Sequence, residues 1–250
     1  MSKLIKKTVL AFCFLFACEN SYSENKYQEA HKKGIKLEVW YKNGGYATGS
    51  ATAFKRTSKE GKDVAFLLTC LHVLTDSDGI RLHFPAAARI TTPKGSVMDS
   101  FSIIEQSAIN TSFDFAVVVV TNNLQIFDFA EPIGPKESPV IGDKVVCVGH
   151  PGGYPTIVTE GIISAKDFKL PDSERLFDVI SNSVAGGFSG GGVFRQSDGK
   201  YIGLISRRYS QSGYGMIVPI RQIYIFLEFL EKDFIINKDK PFTDIKSLLK

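Results

Sequence analysis

A serine lies among glycines in the last third of the chain, in the stretch Gly186–Gly192, which reads GGFSGGG. Glycine is favoured where φ is positive or where the backbone approaches another atom closely, and several glycines weaken a strand. On its own this stretch fits either a polar turn or a reactive hydroxyl at Ser189. Upstream, His72 follows one apolar run and Asp114 precedes another. These three residue types together can activate a hydroxyl for nucleophilic catalysis.

Chain order decides which kind of nucleophilic site is possible. The segment Gly187–Gly191 satisfies the G-x-S-x-G pattern of α/β-hydrolases, in which the acid and the histidine follow the serine. A phosphate-binding loop is excluded, because no Lys-Ser or Lys-Thr pair closes the glycine run. Every histidine of this chain precedes the serine: His31, His72, His83 and His150. The α/β-hydrolase order, in which the histidine follows the serine, is therefore excluded as well. The order histidine, aspartate, serine remains.

Three segments around these residues resemble the chymotrypsin-like (trypsin-like) serine peptidases, most closely the bacterial HtrA-type peptidase domain. The resemblance covers roughly residues 35–234, and we expect no appended PDZ domain. Gly49–Phe54 looks like the early strand of these peptidases, Val148–Pro151 like a strand end of their second barrel, and Gly213–Pro219 like their last strand. The resemblance implies an all-β fold of two antiparallel six-stranded β-barrels with a C-terminal helix and an active site in the cleft between them.

The resemblance also implies a function and a role for each residue. The chain would be a serine endopeptidase that hydrolyses peptide bonds through an acyl-enzyme. His72 would accept the proton of Ser189, and Asp114 would fix the imidazole tautomer and stabilise the imidazolium. The backbone N–H groups of Gly187 and Ser189 would form the oxyanion hole. No cofactor is expected, and the partners would be protein or peptide substrates.

By the same resemblance, the primary substrate pocket would be bounded by Ser183, Ser206, Arg207 and Arg208. Ser206 would also support the buried Asp114. The two arginines would favour acidic substrates through charge-assisted hydrogen bonds, unless at least one of them faces solvent.

Phe188 departs from the family pattern, because the residue before the serine is usually Asp or Asn. In secreted digestive members an aspartate there pairs with a freed N-terminus, which Phe188 cannot do. We therefore expect activity without N-terminal cleavage. The orientation of the Gly187 peptide stays open, and with it the alternative of a catalytically inactive domain that binds peptides or a protein partner.

A second alternative is a zinc site. Cys70, His72, Cys147 and His150 offer two thiols and two imidazoles, which are the ligand types that zinc prefers. Their spacing is unusual for such a site. Each cysteine lies in an apolar run, so two unpaired buried thiols are expected in place of a disulfide.

The strands that must position these residues appear as short apolar runs separated by turn residues, without alternating helices, which indicates antiparallel sheets. A proline-rich segment over 130–143 divides barrel one (about 35–130) from barrel two (about 140–218). Helical spacing predicts a helix over 220–234, followed by a lysine-rich tail over 237–250. The predicted strands are Leu37–Tyr41, Ala51–Phe54, Val64–Thr69, Ile80–Phe84, Phe115–Val120, Val145–Gly149, Ile157–Ser164, Phe177–Ser181, Tyr201–Ser206 and Gly215–Val218.

The first residues predict export. Residues 1–17 have a basic start and an apolar run too short to span a bilayer, as in a signal peptide, and a polar tether over 18–34 would follow. Cys18 stands where a bacterial lipoprotein is acylated, although cleavage after Ser23 is the alternative. The mature protein would be periplasmic or at the cell surface, with a possible lipid anchor. The net charge is +4, and three lysines lie in the first seven residues, so without them it falls to +1 (4 − 3). A nucleic-acid partner is therefore not expected.

Overall fold

The computed structural model describes residues 26–41, 44–75, 85–99, 102–105, 114–170, 176–209 and 213–243. Within them the chain forms two antiparallel β-sheets and few helices, which confirms the all-β fold class. None of the described helices is long and apolar enough to cross a membrane. The predicted signal peptide (1–17), Cys18 and the predicted strand Ile80–Phe84 lie outside the described residues.

The first sheet holds the residues that lead to the histidine and the aspartate. Its seven strands run in the order β5-β4-β1-β2-β3-β7-β6, and no ladder between the described residues joins β5 to β6. The expected closed six-stranded first barrel is therefore a seven-stranded sheet here. One long strand turns the sheet, because the first half of β2 pairs with β1 and its second half with β3. The strands are β1 (Ile35–Tyr41), β2 (Tyr46–Thr57), β3 (Asp63–Thr69), β4 (Pro85–Thr92), β5 (Gly95–Asp99), β6 (Ser102–Glu105) and β7 (Ala116–Val120).

The central strands of this sheet are buried on both faces. All five residues of β7 are buried, as are the six residues that follow Asp63 in β3. Continuous apolar runs of this kind suit strands covered on both sides, and each fully buried Val or Leu side chain contributes about 1.5–3 kcal/mol. By contrast, β1 alternates between buried and half-buried residues, as a strand with one covered face does. The ends of β3 and β7 are therefore held rigidly.

The second sheet closes into a six-stranded barrel in the order β10-β13-β12-β11-β8-β9. This agrees with the expected second barrel. Closure removes every free strand edge from this half of the molecule. Residues 121–143, which include the predicted linker, carry the chain from the first sheet to the barrel. The strands are β8 (Lys144–Gly149), β9 (Ile157–Lys169), β10 (Leu176–Ile180), β11 (Gly192–Arg195), β12 (Tyr201–Arg208) and β13 (Gly215–Pro219).

The C-terminal helix is shorter than predicted. Helix α3 covers Ile220–Phe229 after Pro219, which occupies the N-cap. It buries the apolar face that the spacing predicts, including Ile223 and Leu227. The helix stops where Glu231 takes a left-handed conformation (φ 58°), and a separate 3-10 turn follows over Asp233–Ile235. Two other helical segments are α1, which includes residues 26–32, and the single turn α2 (Leu71–Leu74).

The predicted polar tether over 18–34 is wrong for its described part. Residues 26–32 are helical and dock on the second barrel. Lys26 Nζ donates to the Gln196 carbonyl at 2.8 Å, and the Tyr27 hydroxyl donates to Glu160 at 2.5 Å. Ala30 is buried against the core. Polar composition indicated a solvated segment, but these specific long-range bonds order it.

The beginning of the predicted tail over 237–250 is also packed. Phe242 is 2% exposed, and its ring stacks on Phe234 with centroids 5.3 Å apart. The Phe242 carbonyl accepts a hydrogen bond from Lys59 N–H at 3.1 Å. One aromatic side chain thus anchors a stretch that is otherwise rich in lysine.

Candidate active site

His72 and Asp114 meet because neighbouring antiparallel strands end at the same edge. Thr69, the last residue of β3, pairs with Ala116, the first residue of β7. The residues just after β3 and just before β7 must therefore lie side by side. The turn α2 places His72 Nδ1 at 2.9 Å from Asp114 Oδ2 and 3.0 Å from Oδ1. The backbone N–H of His72 also donates to Asp114 Oδ1 at 3.3 Å.

Asp114 is a buried carboxylate with a complete set of donors. It is 4% exposed, and the Ser206 hydroxyl donates to its Oδ2 at 2.6 Å. Burial by itself would raise the pKa of Asp114, but the hydrogen bonds from His72 and Ser206 outweigh burial and lower the pKa below its usual value. The carboxylate is therefore ionised at neutral pH.

The histidine is positioned to act as a base. Asp114 can accept but not donate when it is ionised, so the hydrogen of neutral His72 belongs on Nδ1. That assignment leaves Nε2 as the unprotonated nitrogen. The side chain of His72 is 48% exposed, so Nε2 is accessible from the cleft.

Ser189 lies in the turn before β11, on the second-barrel side of the same cleft. The cleft has a volume of about 590 Å³ and is lined by His72, Asp114 and Ser189 together with residues 184–186 and 205–208. The Ser189 hydroxyl donates to the Ser206 carbonyl at 3.3 Å. Among the hydrogen bonds of the described residues, none joins Ser189 Oγ to His72. The three predicted residues therefore share one cleft, with the Ser189 hydroxyl turned toward Ser206.

Backbone carbonyls of the serine turn are held so that two N–H groups stay free. The Gly186 carbonyl accepts from Gly152 N–H at 2.7 Å, and the Phe188 carbonyl accepts from Gly191 N–H at 2.8 Å. A planar trans peptide directs its N–H opposite to its C=O, so these bonds set the directions of Gly187 N–H and Ser189 N–H. Neither N–H has an acceptor among the described residues. Two adjacent free donors of this kind can bind an oxyanion.

Gly187 is required by both conformation and space. Its φ is +93°, and a Cβ at this position would collide with the carbonyl oxygen of His150. Phe188 is 3% exposed, and its ring covers Gly149, where a Cβ would lie 2.5 Å from the ring. The phenylalanine therefore anchors the turn by packing against β8.

The predicted pocket residues are placed in different ways. Arg207 and Arg208 line the cleft and are exposed, and no ion pair joins either of them to an acidic side chain among the described residues. The Arg207 guanidinium lies over the Phe177 ring at 5.5 Å. Ser206 lines the cleft and also bonds Asp114. Ser183 does not line it, although the next residues along the chain do.

The four residues of the zinc alternative do not form one site. Cys70, His72 and Asp114 have ligand atoms within 4.8 Å of one another, and no other such group occurs among the described residues. Cys70 and Cys147 are both buried and unpaired, as expected from the sequence. Burial, together with the Asp114 charge, raises the pKa of the Cys70 thiol, and its Sγ donates to the Ile205 carbonyl at 3.1 Å.

Two buried side chains behind the serine turn were not predicted from the sequence to support that turn, although His150 was a candidate ligand of the zinc alternative. Ser50 in β2 and His150 just after β8 bond each other, and Ser50 also bonds the turn. Both lie in segments that the resemblance identifies, but nothing in their spacing indicates that they meet. Their contact depends on the packing of the two sheets.

Comparison with known proteins identifies the family. Residues 49–204 match the family model of the trypsin-like peptidase domain. A "Probable periplasmic serine endoprotease DegP-like" from Pseudomonas fulva is 30% identical over 161 residues, which are 62% of this chain and 29% of that protein. The protein of the same name from Hahella chejuensis is 37% identical over 83 residues, which are 32% of this chain and 17% of that protein. This chain aligns with less than a third of either relative's length.

Solved structures show the same fold at lower identity. The HtrA-type protease AlgW with a tripeptide has a TM-score of 0.65 and 20% identity, and the match covers 87% of this chain and 64% of that one. A serine endoprotease from Yersinia pestis has a TM-score of 0.63 and 20% identity, and the match covers 85% of this chain and 67% of that one. The predicted resemblance is confirmed: because the family model matches more than half of its length, the chain belongs to the trypsin-like peptidase domain family.

Proposed function

We propose that this chain is an exported serine endopeptidase whose catalytic residues are His72, Asp114 and Ser189. The observation that carries the proposal is the combination of an ionised, buried Asp114 bound to His72 with two free backbone N–H groups beside Ser189. A base, its orienting carboxylate, a hydroxyl and an oxyanion site are the parts that acyl transfer needs.

The reaction follows from these positions. Ser189 Oγ attacks the carbonyl carbon of the substrate while His72 Nε2 takes the hydroxyl proton, and Asp114 stabilises the resulting imidazolium. The substrate oxygen becomes an oxyanion bound by Gly187 N–H and Ser189 N–H. The C–N bond then breaks, His72 returns the proton to the leaving amine, and an acyl-enzyme remains. Water then attacks the acyl-enzyme in the same way, with His72 taking its proton, and the carboxylic acid product and free Ser189 are released.

One observation favours the alternative of an inactive peptide-binding domain. The Ser189 hydroxyl bonds the Ser206 carbonyl and not His72. Rotation about χ1 moves a serine hydroxyl between staggered positions, and catalytic hydrogen bonds often form only when substrate is bound. The proposal therefore requires that Ser189 rotates toward His72 in the complex.

Labelling with a fluorophosphonate probe separates an enzyme from an inactive binding domain. We expect stoichiometric labelling of the wild type and none in Ser189→Ala. The matched control is Ser58→Ala, which removes another buried serine hydroxyl, in the turn between β2 and β3, and which we expect to label normally. A folded wild type that stays unlabelled would support the binding domain and contradict the peptidase.

The substrates are proposed to be proteins or peptides with an acidic residue near the scissile bond. Arg207 and Arg208 line the cleft without acidic partners among the described residues, and Asp114 is engaged by His72 and Ser206. An unpaired guanidinium binds a carboxylate through charge-assisted hydrogen bonds. Profiling with a peptide library should show enrichment of Glu and Asp that disappears in Arg207→Gln or Arg208→Gln. Equal cleavage of neutral peptides would reject this preference.

Export and lipid attachment at Cys18 are part of the proposal. Support comes from the basic and apolar start of the sequence and from relatives described as periplasmic endoproteases. Metabolic labelling with a palmitate analogue tests the anchor directly. Label that is lost in Cys18→Ser supports acylation, whereas an unlabelled protein with a new N-terminus after Ser23 supports ordinary cleavage.

A further inference from the structure

One residue of the first sheet holds the serine turn on both sides of Phe188. The Ser50 hydroxyl donates to the Gly187 carbonyl at 2.7 Å, and Ser50 N–H donates to the Ser189 carbonyl at 2.8 Å. Ser50 is fully buried in β2, and its own carbonyl accepts from the Thr69 hydroxyl at 2.7 Å. The turn that carries the nucleophile is therefore fixed across the interface between the two sheets.

His150 sets the direction of the Ser50 hydroxyl. His150 N–H donates to Ser50 Oγ at 3.0 Å, and His150 Nδ1 lies 3.4 Å from the same oxygen. The single Ser50 proton is used by Gly187, so Nδ1 carries the hydrogen that faces Ser50. Nε2 is then the acceptor for the Thr156 hydroxyl at 2.9 Å. Because the Ser50 oxygen accepts from His150, the Ser50 hydroxyl hydrogen points at the turn.

Phe188 cannot hold the turn by hydrogen bonds, because its side chain has no polar group and contributes packing only. With Ser50 included, four consecutive carbonyls from Gly186 to Ser189 each accept a hydrogen bond. Turning the Gly187 N–H to another direction requires rotation about the bonds that flank this peptide. Such a rotation would break the bond from Gly152, and the Ser50 bond fixes the next peptide, on the C-terminal side of Gly187.

We propose that Ser50 is a positioning residue for the oxyanion-binding turn and that His150 orients its hydroxyl. This inference rests on the proposed peptidase function. Ser50 touches neither substrate nor the reacting atoms, so it acts by fixing the Gly187 and Ser189 carbonyls, whose peptides flank the one that carries the Ser189 N–H. Loss of its hydroxyl should leave the fold and the nucleophile present but should weaken stabilisation of the developing oxyanion.

The rate constant of fluorophosphonate labelling measures that stabilisation. Attack by Ser189 Oγ forms a P–O bond and breaks the P–F bond, which releases fluoride, while charge develops on the phosphoryl oxygen at the oxyanion site. We expect Ser50→Ala to lower this rate constant about 10- to 100-fold, somewhat less than the loss of a whole oxyanion donor. The final labelling stoichiometry should stay equal to that of the wild type.

Two further variants separate positioning from general stability. Ser58→Ala removes a buried hydroxyl that accepts from Lys62 N–H at 3.1 Å in the turn between β2 and β3. It should lower the thermal midpoint about as much as Ser50→Ala does, without slowing labelling. Ser50→Thr keeps the hydroxyl and should recover most of the rate.

The outcomes distinguish this inference from the proposed function. If Ser50→Ala is labelled at the wild-type rate, the positioning role is overturned and the peptidase proposal stays intact. Equal slowing in Ser50→Ala and Ser58→Ala, or no recovery in Ser50→Thr, would also overturn it. An unlabelled wild type would overturn both.

Discussion

The two sides of the cleft hold their functional groups by different means. On the first-sheet side, His72 and Asp114 bond each other directly through their side chains, and the aligned ends of β3 and β7 bring them together. On the second-barrel side, the Gly187 N–H depends on the Gly186 carbonyl, which the distant Gly152 holds, and Ser50 of the first sheet holds the Gly187 and Ser189 carbonyls. The first arrangement is local to two strands. The second requires both sheets to be packed correctly.

This difference predicts which substitutions act directly and which act at a distance. A change on the histidine side removes a chemical group that the proposed reaction uses. A change on the serine side leaves the chemical groups in place and alters their direction. Measurements that separate the presence of a nucleophile from its rate therefore test the comparison.

The largest effect is expected for Asp114→Asn. Loss of the carboxylate lets neutral His72 carry its hydrogen on Nε2, so the imidazole can no longer accept the serine proton. We expect the turnover number on a fluorescent casein substrate to fall on the order of 10⁴-fold. Asp63→Asn, which removes an exposed aspartate at the start of β3, is the control. A loss of less than about tenfold in Asp114→Asn would show that His72 needs no orienting carboxylate.

Gly187→Ala should have the next largest effect and tests the serine side. A Cβ at a φ of +93° is strained and collides with the His150 carbonyl, so the turn must move. We expect fluorophosphonate labelling to slow about 10²- to 10³-fold, as for loss of an oxyanion donor. The neighbouring Gly186→Ala is a sharp control, because its added Cβ meets nothing within 4 Å. Similar rates in the two variants would contradict the oxyanion role of Gly187.

Low pH should lower the free energy of unfolding through His150, which lies on the serine side of the cleft. Burial, with the positive charges of Lys36 and His31, lowers the pKa of His150 from 6.5 to about 4, and Glu38 opposes this in part. Between these values the unfolded chain binds a proton that the folded chain does not. The free energy of unfolding should therefore fall by about 3 kcal/mol from this group as the pH decreases from 7 to 4.

Denaturant titrations at several pH values measure this dependence. His150→Asn lacks the titrating imidazole, so its stability should change less over the same pH range. Asp114 stays ionised through most of this range, because its pKa lies below its usual value. An identical pH dependence in wild type and His150→Asn would contradict the assignment.

Periodicity and turn residues predict most strands of this fold, and the exceptions have physical causes. Strand β11 begins at Gly192, directly after a glycine-rich segment, so a pattern of apolar residues does not predict it. Strands β4 and β5 form a hairpin with few large apolar residues, so the pairing of β4 with β1 stabilises the hairpin more than its composition does. The triad candidates are identifiable because their order and neighbours carry information. The Ser50–His150 contact is not, because it arises where two sheets meet.

The smallest effect is expected for Ser206→Ala, which joins the two sides of the cleft. The Ser206 hydroxyl donates to Asp114 at 2.6 Å, and its carbonyl accepts from the Ser189 hydroxyl at 3.3 Å. The substitution removes the first bond and keeps the second. A hydrogen bond to a charged group contributes about 1.5–3 kcal/mol, and His72 still holds the carboxylate, so turnover should fall about tenfold.

Comparison with Ser58→Ala shows whether this loss is specific to Asp114. Without the Ser206 hydrogen bond the pKa of Asp114 should rise, so NMR titration should show its carboxyl protonated at a higher pH than in the wild type or in Ser58→Ala. An Asp114 titration that matches the wild type would mean that His72 alone keeps Asp114 ionised. A fall in turnover as large as that of Asp114→Asn would contradict the tenfold expectation, because His72 alone would then be unable to hold the carboxylate.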